Sequence, residues 1–85
     1  MHELSIAQDI VTTVMRHLPP ENRAPVRSVK LSVGVLNHLG GESLRFCFQA
    51  ASAGTALAGA KLDIDEAPGD EIRVVEFELD DQRSS

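Results

Sequence analysis

The sequence predicts a two-layer α+β domain: a three-stranded sheet with two helices on one face, in the order α-β-α-β-β. Three observations carry that reading. Apolar residues repeat at three- and four-residue steps in two segments and at two-residue steps in three others. Glycine and proline pairs punctuate the segments where the period changes. The 85 residues suffice for one domain spanning 1–85 and are too few for two.

The first segment is read as a helix because Leu4, Ala7, Ile10, Val11, Val14, Met15 and Leu18 fall on one stripe. Ser5 and Gln8 have the spacing of a capping box. Asp9 near the start and Arg16 and His17 near the end suit the helix dipole, and His17 is most simply a dipole partner. Pro19-Pro20 stops the helix. From Arg27 to Leu36 the period becomes two, with Val29, Leu31, Val33 and Val35 on one face of a half-buried strand.

Gly40-Gly41 breaks the chain, and a second helix is expected over about 42–53. Leu44, Cys47, Phe48 and Ala51 form its stripe, widened by Phe46 and Ala50. Gly54 suits the helix end, and Glu42 and Arg45 suit a weak surface ion pair. A small-residue loop over 55–60 leads to a second strand, in which Leu62 and Ile64 alternate with Lys61, Asp63 and Asp65. Ile72 and Val74 open a third strand, but Val75, Phe77 and Leu79 continue one step late, so a bulge is expected near Val74-Val75. Ala67-Pro68-Gly69-Asp70 reads as a hairpin turn, with proline setting φ and glycine allowing the positive φ of a type II turn.

Composition narrows the function. The net charge of -5, with scattered Lys and Arg, argues against nucleic-acid binding. Asp80 and Asp81 read as part of a solvated tail. One cysteine excludes an intramolecular disulfide and a thiolate-built zinc site, and fits a reducing compartment. No apolar run is long enough to span a membrane, and the N-terminus lacks signal-peptide character, so a cytoplasmic location is expected. Without Trp or Tyr the core rests on Val, Leu, Ile and Ala, and a core this small leaves room for a homo-oligomer or partner protein. No residue set combines acid, base and oxyanion stabiliser, and no phosphate-binding glycine loop is present, so no enzyme is expected. Cys47, on an apolar helix stripe, reads as a small hydrophobe.

Met1-His2 is the one constellation with metal chemistry. A free α-amine, the backbone nitrogen of His2 and its imidazole can close adjoining chelate rings around one ion. Nitrogen-rich tetragonal sites suit Ni(II) or Cu(II). Glu3 can add a carboxylate or its backbone nitrogen. By itself a histidine near a chain start carries little weight, and the residues alone favour an incidental one.

The opening Met1-His2-Glu3-Leu4-Ser5-Ile6-Ala7-Gln8 resembles that of the HypA/HybF hydrogenase-maturation proteins. Further likeness lies in Val29-Lys30-Leu31-Ser32-Val33-Gly34, in Glu42-Ser43-Leu44-Arg45-Phe46-Cys47-Phe48, in residues 54–64, and in the closing strand over 71–78. The resemblance implies a nickel metallochaperone that binds Ni(II) transiently through Met1, His2 and Glu3. It would pass the ion to a GTPase metallochaperone or to a nickel enzyme precursor such as that of [NiFe]-hydrogenase. His2 is large enough that the initiator methionine should be retained, and a tag ahead of Met1 should block the amine.

Two departures from the family pattern stand out. The zinc-ribbon insert with its two pairs of cysteines is absent at 67–70, so zinc is not expected. After Gly34 the chain has Val35 where the family often has an acidic residue, and the loop over 36–41 lacks a carboxylate. His38 stands in that loop, either as a substitute ligand or as a solvated histidine. The departures keep a second reading open: a metal-free interaction module that retains the family scaffold.

Overall fold

The computed structural model describes residues 3–22, 24–37 and 40–80. Met1, His2, His38 and Asp81 lie outside them. The elements are α1 (Glu3–His17), β1 (Val26–Gly34), a 3₁₀ turn (Val35–Asn37), α2 (Gly41–Ser52), β2 (Lys61–Ala67) and β3 (Ile72–Leu79). This is the α-β-α-β-β order expected from periodicity.

In α1 the buried side chains are Ala7, Ile10, Val11 and Val14, the centre of the expected stripe. The helix already includes Glu3, so Ser5 lies inside it and cannot serve as its N-cap, which corrects the capping-box expectation. Glu3 occupies the first turn, Arg16 and His17 the last, and His17 Nδ1 donates to the Thr13 carbonyl at 2.8 Å. In α2, Leu44 and Phe48 are buried, whereas Phe46 is 72% exposed. Phe46 lies two residues from each, about 200° around a helix from Leu44 at 100° per residue, so it points away from the core rather than widening the stripe.

The sheet order is β2-β1-β3, with β2 parallel and β3 antiparallel to β1. β1, α2 and β2 thus form a parallel β-α-β unit. The link between β2 and β3 is therefore not the expected hairpin: the two strands do not pair, and residues 68–71 cross over the end of β1. Four extended residues reach roughly 13 Å, enough for the roughly 10 Å between next-nearest strands. The turn chemistry holds all the same, since Gly69 has φ of +90°.

Two bulges set the faces. Lys30 pairs with Glu76 and Leu31 with Val74, which leaves Val75 as the extra residue and bears out the expected phase shift. A second shift between Val26 and Ser28 leaves Arg27 unpaired and turns Val26 inward. Val29, Leu31 and Val33 face the helices beside Leu62, Ile64, Phe77, Val74 and Ile72. The face away from the helices carries Ser28, Lys30, Ser32, Asp63, Asp65, Glu76 and Glu78. Val35 has left the strand and is 51% exposed, so its expected place in the inward row is wrong.

Leu57 is fully buried in the loop after α2, a core residue hidden in a small-residue segment. Thr55 Oγ1 fixes it there, donating to the Ser52 carbonyl at 2.7 Å and accepting from Leu57 N–H at 3.0 Å. Arg45 does not pair with Glu42. It donates from Nε and Nη2 to the Leu62 carbonyl at 3.3 and 3.1 Å, tying α2 to the edge strand β2.

Candidate functional site

Both helices begin at the end of the sheet where β1 finishes. Ile6 and Asp9 line a groove with Ile72 and Arg73, while Thr13 and His17 line one with Val74, Glu76 and Phe77. α1 therefore runs alongside β3 in the same direction, with Glu3 one turn beyond Ile6. At α2, Gly41 lies beside Ile64 and lines a groove with Val33, Gly34 and Glu66. At the other end, Val26 N–H donates to the Ala56 carbonyl at 2.7 Å, just past the end of α2.

The same end holds the 3₁₀ turn and the crossover, tied together by three hydrogen bonds. Gly34 N–H donates to Glu71 O at 2.8 Å, Leu36 N–H to Gly69 O at 2.9 Å, and Asn37 Nδ2 to Asp70 O at 2.9 Å. A β-carbon on Gly34 would stand 2.3 Å from the Gly69 carbonyl oxygen, so the approach requires glycine. Reading the chain as a hairpin missed this assembly, because turn residues report local φ and not which strand lies between.

Glu3 is the one expected metal residue within the described structure, half-buried at the start of α1. Its position leaves backbone N–H groups of the first helical turn without intrahelical acceptors. Among the described residues no group of three or more His, Cys, Asp or Glu is placed to hold a metal ion. Cys47 is half-buried on α2 and has no second thiol to join it in a zinc site. Among the described residues no helix is long and apolar enough to cross a membrane.

This arrangement defines a class: a two-layer α+β domain in which the first helix, an inter-element turn and a crossover meet at one sheet end. The family model described as "Hydrogenase/urease nickel incorporation, metallochaperone, hypA" matches residues 1–73. Hydrogenase maturation factor HypA of Rhodopseudomonas palustris (strain BisA53) is 39% identical over 69 residues, covering 81% of this chain and 61% of its own. That of Chlorobium limicola is 47% identical over 66 residues, covering 78% and 57%. The solution structure of the Ni metallochaperone HypA from Helicobacter pylori shares the fold, with a TM-score of 0.75 at 12% identity over 93% of this chain and 97% of that one.

The chain belongs to the HypA family. It spans about three fifths of the length of the curated relatives that it matches.

Proposed function

We propose that the chain binds Ni(II) at its N-terminus and hands it on during assembly of a nickel enzyme. The observation that carries this reading is the start of α1 at Glu3. With Glu3 in the first turn, its backbone N–H has no intrahelical acceptor and is left for other chemistry. The amine of Met1, the amide nitrogen of His2 and the His2 imidazole then form the donor set, with Glu3 as a fourth ligand through its carboxylate or backbone nitrogen. Tetragonal nitrogen donors of this kind suit Ni(II). The helix dipole favours a deprotonated amide and the Glu3 carboxylate but opposes a bare cation, a balance that suits a labile cargo site.

Deprotonation sets the pH dependence. Model imidazole and α-amine groups titrate near 6.5 and 7.7–8.0. Affinity should therefore rise with pH across that range. The recipient fitting this chemistry is a GTPase metallochaperone or the precursor of a nickel enzyme, such as hydrogenase. Zinc has no role in this reading, since Cys47 stands alone.

Calorimetric titration of the untagged protein with Ni(II) tests the proposal. One site is expected, lost in His2→Ala and in a chain extended ahead of Met1. Equal binding by all three proteins would favour the second reading, a scaffold that recognises protein partners without metal.

A further inference from the structure

Three large apolar side chains stand in solvent at the sheet end where the helices begin: Leu4 at 44%, Val35 at 51% and Leu36 at 64% exposure. Scattered exposed hydrophobes are ordinary, but these share one end of the fold. A groove beside them is lined by Val33, Val35, Leu44, Arg45, Ile64 and Glu66.

The turn that presents Val35 and Leu36 is held from behind. Leu36 N–H is bonded to Gly69 O, and the Asn37 side chain to Asp70 O, both at 2.9 Å. Side chains held in place before contact lose less entropy on docking. Among the described residues the carboxylates of Glu3, Glu42, Glu66, Asp70 and Glu71 outnumber the cations Arg45 and Arg73 at this end. Arg45 is engaged by the Leu62 carbonyl. An apolar centre with a charged periphery is the anatomy of a protein interface.

We infer that the Val35–Leu36 turn is a docking site for a protein segment with an apolar centre flanked by lysine or arginine. Charge decides the occupant. A second copy would set the same carboxylates against each other across a two-fold axis, whereas a basic-flanked segment complements them. The small apolar area suits a short-lived complex. This inference does not depend on nickel binding at the N-terminus.

The test uses the full ¹⁵N-labelled chain and two synthetic helical peptides, one with a leucine stripe flanked by lysines and one with glutamates in place of the lysines. Amide shift changes should cluster at Leu4, Val35, Leu36, Leu44 and Ile64 with the lysine peptide and be absent with the other. Leu36→Asp should weaken binding about tenfold or more. Leu36→Ser, which removes the apolar contact without adding charge, should weaken it in the same direction. As Leu36 is mostly exposed, both variants should keep the folded amide spectrum. Shifts confined to Asp63, Asp65, Glu76 and Glu78 and unaffected by either variant would overturn the inference. So would binding of the glutamate peptide, absence of binding, or a homodimer in sedimentation that Leu36→Asp dissolves.

Discussion

Gly34 shows how tightly single positions are specified. Its missing side chain admits the crossover, because a β-carbon would meet the backbone of Gly69 and Asp70 at 2.3–2.6 Å. Backbone cannot swing aside as a side-chain tip can, so Gly34→Ala should cost about 1–3 kcal/mol, read from urea unfolding. The two phenylalanines of α2 make a sharper contrast. Phe48 is 2% exposed and Phe46 72%. Phe48→Ala should destabilise the domain by about 3–5 kcal/mol, while Phe46→Ala should stay within about 0.5 kcal/mol of the parent in the same assay. Helical geometry separates the two once Leu44 is known to face inward, but hydrophobicity alone does not. The proposed metal residues were legible only as a motif. Glu3 has a place in the structure, whereas Met1 and His2 lie outside the described residues.

Elements with an unbroken period were the most legible. α1, α2 and the inner row of β1 as far as Val33 followed directly from spacing, and the slip at Val75 was readable because alternation continues on both sides of it. The bulge at Arg27 was not, because a loop precedes Val26 and supplies no earlier phase against which to see a slip. The crossover was misread for another reason: Pro68-Gly69 encodes a turn, but pairing partners depend on what else packs between the strands. Arg45 was read as the mate of Glu42, yet it reaches the edge of β2. An open sheet edge carries unmatched carbonyls, and a guanidinium with two donors answers one of them. Arg45→Met should therefore cost about 1 kcal/mol and speed amide exchange in β2. Arg45→Lys should rescue little, since a single ammonium lacks the paired donors.

At the scale of the molecule, one small, mostly aliphatic core joins both helices to the inner sheet face, and the sheet end where the helices begin is left to the crossover and the turn. The three hydrogen bonds there close the gap between β2 and β3. Chelator treatment should therefore leave the thermal midpoint unchanged; a marked fall would reveal a structural metal, as zinc-dependent domains unfold when stripped.

Nickel held on nitrogen donors at the chain start, as proposed, would leave a direct signature on the metal. Nickel K-edge X-ray absorption of the untagged, loaded protein tests it most directly. The expected result is a first shell of nitrogen or oxygen with imidazole scattering that disappears in His2→Ala. Sulfur in the first shell, or a spectrum unchanged by that substitution, would contradict it and point to Cys47 or an adventitious site.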